Sequence, residues 1–245
     1  MNVASELVEA GAASRNRFPK HVPMGASTQF PVHDYAGFRR QMVERQLRAR
    51  GIRDERVLSA MLAVPREEFV PEEVRELAYM DRPIPIGEEQ TISQPYMVAS
   101  MAEALRLTGK EKVLEVGTGS GYAAAILSML AKFVHTVENR PALAAAAQAR
   151  LAHLGFENVS VHTGDGSLGF AAAAPYDAIV VAAAAPAIPQ PLVDQLSPNG
   201  RLIVPVGAGE TQDLMLVERR GDAIHSRFLY QCRFVPLTGQ HGFSS

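Results

Sequence analysis

The sequence predicts an α/β protein with a doubly wound, mainly parallel sheet of seven strands, and three observations support this fold class. From residue 111 onward, short β-branched runs such as "KVLEVG", "FVHTVE" and "YDAIVV" alternate with helical segments. The glycine-rich turn "GTGSG" (117–121) joins the first of these strands to its helix. After Gly207, two strand-like runs follow each other without a helix, and Gly221 and Asp222 between them are typical of a hairpin. The alternation therefore implies parallel strands with crossover helices, and the last two runs imply an antiparallel terminal hairpin.

The segment before this sheet predicts an N-terminal helical preface. Residues 38–50, "FRRQMVERQLRAR", and residues 53–65, "RDERVLSAMLAVP", have helical spacing, with Asp54 able to cap the second helix and Pro65 ending it. Pro95 suits the first turn of a third helix. Residues 1–34 predict a flexible extension, because Ala, Ser, Asn, Pro and Gly dominate them. We expect residues 35–245 to form one domain. Its helical preface and the substrate segment span 35–109, and the cofactor-binding sheet and the C-terminal strands span 110–245.

The composition limits the classes of function. The chain has 245 residues, of which 47% are hydrophobic, and its formal net charge is −2. It can bury a globular core, but it carries no strong field that would attract nucleic acid or an anionic membrane. The single cysteine, Cys232, excludes an internal disulfide framework, and the histidines lack metal-ligand spacing, so we expect no metal site. The sequence has neither a run of ~18 apolar residues nor the apolar core of a secretory signal, and we expect a cytoplasmic protein.

The glycine turn and the strand that follows it predict a nucleoside site. In an open α/β sheet, ligands bind beyond the carboxyl ends of the strands, where Gly117, Gly119 and Gly121 lie. Glycines let the backbone approach a ligand at a helix N-terminus. Glu138 ends the next strand, 21 positions after Gly117, where an acidic side chain holds ribose hydroxyls in nucleoside sites. The turn and the acid together indicate such a site more strongly than the glycines alone, which also occur in plain tight turns.

Glu115 favours S-adenosylmethionine over a dinucleotide as the ligand. It lies two residues before Gly117, where a dinucleotide would place its anionic pyrophosphate, and two like charges in a partly buried site repel each other. S-adenosylmethionine has no phosphate and carries a sulfonium and an ammonium group, which a carboxylate attracts. The alternative is that Glu115 points to solvent or pairs with Lys112.

A second acid is placed at the end of the third strand. Asp165, in "GDG" (164–166), is positioned to accept a hydrogen bond from the exocyclic amine of adenine, with Gly166 beside it. An aspartate that starts a loop also commonly accepts hydrogen bonds from nearby backbone amides, and the sequence leaves both roles open.

Five motifs taken together resemble one family. "TISQPYMVA", "VLEVGTGSGY", "GDG", "PYDAIVV" and "RFVPL", in this order and spacing, resemble the protein-L-isoaspartate O-methyltransferases from about Phe38 to Leu237. The first motif is specific to that family, whereas many methyltransferases share the glycine loop. The resemblance implies a Rossmann-like class I methyltransferase fold. It also implies methyl transfer from S-adenosylmethionine to the free α-carboxylate of isoaspartyl residues in damaged proteins, which starts their repair through a succinimide and leaves S-adenosylhomocysteine.

The resemblance also assigns roles to individual residues. It implies that Ser93 is the catalytic residue, whose hydroxyl holds the acceptor carboxylate, and that Thr91 and Ile92 line the cofactor side of the same wall. The other implied contacts are Thr211 and Gln212 with the cofactor, and Gln94, Pro95, Ala182 and Arg233 with the substrate. No general base is needed, because a carboxylate with a pKa of about 4 is already ionised at neutral pH.

The residues by themselves allow plainer roles for several of these positions. Ser93 is also suited to cap the helix that follows Pro95. Thr211 and Gln212 also suit an ordinary hairpin loop, and Arg233 also suits the surface of an edge strand.

Two positions depart from the family pattern. Glu89 stands where the family usually has glycine, in a pattern like "PIG-x-G-Q", and we expect its side chain to point outward, because an inward carboxylate would repel an anionic substrate. Ala182 stands where relatives often have Thr or Gly, and we expect the missing hydroxyl to have a modest effect.

Other functions remain to be separated from this one. A methyltransferase for another carboxylate or for a nucleic acid would share the cofactor site, but the sequence offers no basic, aromatic groove for RNA or DNA. A non-catalytic cofactor sensor would keep Glu138 and Asp165 without needing the Ser93 segment, and a nicotinamide oxidoreductase conflicts with Glu115. We expect isoaspartyl proteins and peptides as partners, no nucleic acid, no membrane, and a monomer.

Overall fold

The structure is a computed structural model that describes residues 34–244. The predicted flexible extension lies outside the described residues, apart from Asp34. In the described part of the chain, no helix combines the length and the apolar character that crossing a membrane requires.

The centre of the domain is the predicted seven-stranded sheet. Its strands are β3 Lys112–Val116, β4 Phe133–Glu138, β5 Val159–Thr163, β6 Tyr176–Val181, β7 Leu196–Val206, β8 Gln212–Arg220 and β9 Ala223–Cys232. They lie in the order β5-β4-β3-β6-β7-β8-β9. The first five pair in parallel, and β8 pairs antiparallel with both β7 and β9. The doubly wound fold with an antiparallel terminal hairpin is therefore confirmed.

Both faces of the central strands of the sheet are buried, which explains their continuous apolar runs, whereas β5 is half-buried and most of β9 is exposed. Neighbouring residues of a strand point to opposite faces. Accordingly, Val113 and Ala178 pack in one core with the helices of the preface, while Leu114 and Ile179 pack in a second core on the other face. Strands that are covered on both sides have no polar face to show in the sequence.

The helices are α1 Tyr35–Gln41, α2 Glu55–Ala63, α3 Pro95–Leu105, α4 Tyr122–Ser128, α5 Pro141–His153 and α6 Gln190–Asp194. The preface is confirmed, although its first helix differs from the prediction. It begins at Tyr35, continues as a π-helix over Met42–Leu47 and ends in a 3-10 turn before Gly51. In α2, Asp54 accepts a hydrogen bond from Arg56 N, as its capping position predicts.

A small antiparallel hairpin separates the preface from α3, and the sequence did not predict it. It consists of β1 Ile84–Gly87 and β2 Gln90–Ile92. Its turn residues Glu88 and Glu89 both have positive φ, at 52° and 58°, a conformation that favours glycine or asparagine. The hairpin matters for function because β2 leads directly into Ser93 and the start of α3.

Candidate active site

The glycine loop lies at the topological switch point of the sheet. It follows β3, which pairs with β4 on one side and with β6 on the other, so the crossovers leave in opposite directions. Gly117, Gly119 and Gly121 have φ of 92°, 52° and 88°, which a residue with a Cβ rarely adopts. The sequence therefore places glycine where the chain must turn sharply from strand to helix, and a crevice opens there.

This crevice contains a cavity of about 300 Å³. Its wall includes the segment Gln90–Ser93, the loop Gly117–Ser120, the end of β4 at Glu138, and the C-terminal residues Val235–Thr238. Of the predicted residues, it brings together Thr91, Ile92, Ser93, Glu115, Gly117, Gly119, Glu138, Gly166 and Ala182. The sequence motifs that were singled out separately thus converge on one space.

Glu115 is the most unusual group in the cavity wall. Its side chain is 0% exposed, its Oε2 accepts a hydrogen bond of 2.6 Å from Thr136 Oγ1, and its buried Oε1 has no partner among residues 34–244. Because Thr136 donates to Glu115, Thr118 must donate in the 2.6 Å contact between the two threonine hydroxyls. This chain of hydroxyls fixes the carboxylate from one side, while the other oxygen is buried and has no hydrogen-bond donor among the described residues.

The environment of Glu115 also changes its acidity. Burial raises the pKa of Glu115 to about 8, and the nearby charge of Glu138 acts in the same direction, against the hydrogen bond from Thr136. The alternative that Glu115 points to solvent is wrong, because its side chain is fully buried. A buried carboxylate oxygen without a donor fits a cationic ligand group, since burying an unpaired charge is otherwise costly.

Glu138 lies opposite Glu115 at the end of β4. Its side chain is only 5% exposed. Oε2 accepts a hydrogen bond from Gly119 N at 2.9 Å, and Oε1 accepts one from Arg140 N at 3.1 Å. These bonds tie the carboxylate to the glycine loop, so its position is fixed before any ligand arrives.

Ser93 lies between β2 and α3 and lines the main cavity. It does not cap α3, because the residue before Pro95 is Gln94 and no side chain caps this helix. Ser93 and Glu115 also border a small apolar cavity of about 30 Å³ behind the main one. The backbone carbonyl of Ser93 accepts a hydrogen bond of 2.7 Å from Arg66 Nη2. Ser93 therefore belongs to the cavity wall, and Arg66 holds its backbone carbonyl.

Asp165 lies just after the end of β5, as predicted, and its carboxylate accepts hydrogen bonds from the protein. Its Oδ1 accepts hydrogen bonds from Ser167 N and Oγ at 2.9 and 2.6 Å, and its Oδ2 accepts one from Gln240 N at 2.7 Å. Both oxygens thus bind the protein itself, as in the plainer loop role, and Gly166 rather than Asp165 lines the cavity. The contact between Asp165 and adenine stays a prediction.

Several other predicted residues are not brought to the main cavity. Gln212 binds Gly209 O and Phe234 N through its side-chain amide, and with Arg233 it lines a neighbouring cavity of about 950 Å³. Arg233 is exposed and pairs with Glu210 at 3.5 Å. Thr211, also exposed, and Gln94 and Pro95 are not among the residues that line either cavity. Gly121 also lies outside it, because its position faces Leu151 of α5. The cofactor and substrate contacts predicted for these residues stay predictions.

Glu89, the first departure from the family pattern, is exposed but also lines the main cavity, so its outward orientation stays a prediction. Its positive φ explains why glycine suits this position. Ala182, the second departure, approaches the glycine loop, since a Cβ added to Gly117 would lie 3.5 Å from its side chain.

The C-terminal wall of the cavity was missed by the sequence analysis. The chain after β9 returns along the end of β6, where Ala184 N donates to Val235 O and Leu237 N donates to Ala184 O. Thr238 then accepts a hydrogen bond from Asn139 Nδ2 at 2.5 Å. Only the "RFVPL" motif pointed to this segment, and it gave no sign that the backbone would close the cavity.

Comparison with known proteins agrees with this geometry. A family model described as protein-L-isoaspartate(D-aspartate) O-methyltransferase matches residues 38–242. A protein-L-isoaspartate O-methyltransferase of Roseiflexus sp. (strain RS-1) is 53% identical over 86% of this chain and 97% of its own length. One of Rhodopseudomonas palustris (strain ATCC BAA-98 / CGA009) is 56% identical over 82% of this chain and 94% of its own.

Two solved structures extend the comparison to three dimensions. A protein-L-isoaspartate O-methyltransferase superposes with a TM-score of 0.76 at 30% identity, covering 83% of this chain and 67% of the other. A Plasmodium falciparum structure, described as such an enzyme in complex with S-adenosyl-L-homocysteine, has a TM-score of 0.69 at 26% identity, covering 82% of this chain and 98% of the other. The chain belongs to the protein-L-isoaspartate(D-aspartate) O-methyltransferase family.

Proposed function

We propose that this chain transfers the methyl group of S-adenosylmethionine to the free α-carboxylate of L-isoaspartyl residues in damaged proteins and peptides. The observation that carries the proposal is the buried, unpartnered oxygen of Glu115 in the cavity that also contains Ser93. It supports a cationic ligand beside an anionic acceptor, which is the pairing that this reaction needs. Family membership supports the same reaction.

The residues of the loop and its flanking strands suit the cofactor. The glycine loop lets a ligand approach the start of α4, Glu138 is fixed for the ribose hydroxyls, and Glu115 faces the cationic part. We assign Thr91 and Ile92 to the same wall, and Asp165 to adenine if its bond to Gln240 opens. S-adenosylmethionine supplies the methyl group and leaves as S-adenosylhomocysteine.

The acceptor side requires placement rather than proton transfer. The α-carboxylate is ionised at neutral pH, so one of its oxygens attacks the methyl carbon directly and no proton moves in that step. Holding the oxygen in line with the methyl group is the main task, and well-oriented reactants gain roughly 7–11 kcal/mol in this way. Ser93 orients the carboxylate by donating its hydroxyl proton in a hydrogen bond, which leaves the acceptor charged.

The product explains how the reaction serves repair. The α-methyl ester is a better electrophile than the carboxylate, so the neighbouring backbone nitrogen attacks its carbonyl carbon. The ester C–O bond breaks, methanol leaves with the proton from that nitrogen, and a succinimide forms without the enzyme. Water opens the succinimide partly to normal aspartate. We propose that the enzyme acts as a monomer in the cytoplasm, with isoaspartyl proteins as its substrates and without nucleic acid.

The direct test uses a pair of peptides that differ only in one linkage. Methyl-labelled S-adenosylmethionine is incubated with the enzyme and either an isoaspartyl peptide or its normal aspartyl twin. The proposal predicts label in the isoaspartyl peptide and essentially none in its twin, because the two have the same atoms and charge and differ only in where the methylene lies. Equal labelling would indicate a less selective carboxyl methyltransferase, and cofactor binding without any labelling would indicate a sensor.

A further inference from the structure

A buried arginine outside the motifs contacts the segment that contains Ser93. Arg66 begins the 3-10 turn after α2 and is 0% exposed. Its Nε donates to Ala78 O at 2.6 Å and its Nη2 donates to Ser93 O at 2.7 Å, while Nη1 has no partner among residues 34–244. The guanidinium carbon lies 4.7 Å from the centre of the Tyr122 ring. One side chain therefore joins the Ser93 segment to the first residue after the glycine loop.

This arrangement is costly for the fold. A fully buried cation loses its hydration, and a carboxylate partner usually compensates for that loss. Here the hydrogen-bond partners are two neutral carbonyls, and the guanidinium also lies over the face of the Tyr122 ring. Burial lowers the pKa of Arg66, the direction expected for a cation removed from water. Packing alone would be served as well by an apolar side chain of similar volume.

We propose that Arg66 is a positioning residue for the acceptor carboxylate. This inference rests on the proposed function. The planar guanidinium fixes the Ser93 carbonyl, and through it the direction of the Ser93 hydroxyl. Arg66 forms no ion pair with a carboxylate among residues 34–244, and Asp81, which acts on its charge from a distance, is itself paired with Arg50, so this end of the cavity favours an anion. A low-dielectric surrounding extends the reach of such a charge.

Three variants distinguish the geometry of the Arg66 side chain, its charge, and its contribution to folding. Arg66→Met removes both the hydrogen-bonding guanidinium and its charge but keeps a side chain of similar volume. Arg66→Lys keeps the charge but cannot hold two carbonyls in the fixed geometry of a guanidinium. The control is Arg56→Met, because Arg56 also donates to two backbone carbonyls, those of Leu107 and Leu130, yet does not line the main cavity.

The first measurement is steady-state methylation of an isoaspartyl peptide, with folded protein counted by S-adenosylhomocysteine binding. Arg66→Met should lower kcat/KM roughly 10- to 150-fold, the equivalent of one lost hydrogen bond to a charged group. Arg66→Lys should have a KM for the peptide close to that of wild type, because it keeps the charge, but a lower kcat than wild type. Arg56→Met should lower the melting temperature and leave both constants unchanged. If Arg66→Met does not fold, Arg66→Lys decides the question through its split between kcat and KM.

The second measurement does not depend on activity. Hydrogen exchange of a peptide that covers residues 90–97 should accelerate in both Arg66 variants and remain unchanged in Arg56→Met. Wild-type exchange in this segment, or wild-type kcat and KM per folded molecule in Arg66→Lys, would overturn the inference. If wild-type enzyme does not methylate the peptide at all, the proposed function fails, while the exchange result still tests whether Arg66 positions the segment.

Discussion

We expect the binding of S-adenosylmethionine to depend on pH through Glu115. Burial raises the pKa of Glu115 to about 8, so the protonated, neutral form should predominate at pH 7 in the ligand-free protein. A cationic ligand beside it requires the ionised form. Each pH unit below the pKa costs about 1.4 kcal/mol, or a factor of ten. The dissociation constant of S-adenosylmethionine should therefore fall about tenfold from pH 6 to 7 and about fivefold from pH 7 to 8, and then level off.

Glu115→Gln isolates this effect, because the amide keeps the size of the side chain and its bond to Thr136. The variant should bind S-adenosylmethionine with no such dependence on pH. At pH 8 it should bind roughly 10- to 150-fold more weakly than wild type, since a hydrogen bond to a charged group contributes about 1.5–3 kcal/mol. At pH 6 the two should converge, because the wild-type residue is then also neutral.

Titration calorimetry in buffers of different ionisation enthalpy measures both the affinity and the proton released. Wild type should release close to one proton at pH 7, and Glu115→Gln none from this site. The stability of the ligand-free protein supplies an independent check. A carboxyl whose pKa is raised on folding holds its proton more strongly in the folded state, so its contribution to stability is present below about pH 4.5 and is lost as pH rises through 8. If S-adenosylmethionine affinity depends on pH in the same way in wild type and in Glu115→Gln, Glu115 does not control cofactor binding.

Three further substitutions test other parts of the site. Ser93→Ala should lower turnover roughly 10- to 150-fold with little change in melting temperature or cofactor affinity, and normal turnover with a lower melting temperature would make Ser93 part of the scaffold. Glu138→Ala should weaken S-adenosylmethionine binding by a similar factor in calorimetry, whereas unchanged affinity would remove its ribose role. Glu89→Gly should raise the melting temperature, because a left-handed residue with a Cβ costs roughly 1–2 kcal/mol, and should lower KM for the anionic peptide. A lower melting temperature would contradict that explanation of the hairpin turn.

The parts of the fold that follow from local chemistry could be predicted from the sequence. The strands of the sheet show as β-branched runs, and the glycine loop and Pro95 carry backbone constraints that do not depend on the rest of the chain. The β1–β2 hairpin could not be predicted, because two glutamates occupy its left-handed turn where the usual signal is Asn-Gly.

Other features of the site arise only from contacts between distant parts of the chain. Arg66 lies in "PREEF", a stretch of charges that reads as exposed, and only the packing of the preface against α4 buries it. The wall at Val235–Thr238 depends on pairing with the end of β6. The position of Asp165 at a strand end could be predicted from the sequence. Its hydrogen bond from Gln240 N could not, because Gln240 lies in the distant C-terminal turn.

The most direct measurement of the central claim follows the acceptor itself rather than the label. An isoaspartyl peptide is incubated with the enzyme and excess S-adenosylmethionine, and the methyl ester, the succinimide and both linkage forms are separated by chromatography over time. The account predicts that the isoaspartyl peptide declines through the ester and the succinimide while the normal aspartyl peptide accumulates, and that omitting the cofactor stops this conversion. Two results together would contradict this function. The isoaspartyl peptide would persist, and S-adenosylhomocysteine would form at the same rate whether or not the peptide is present.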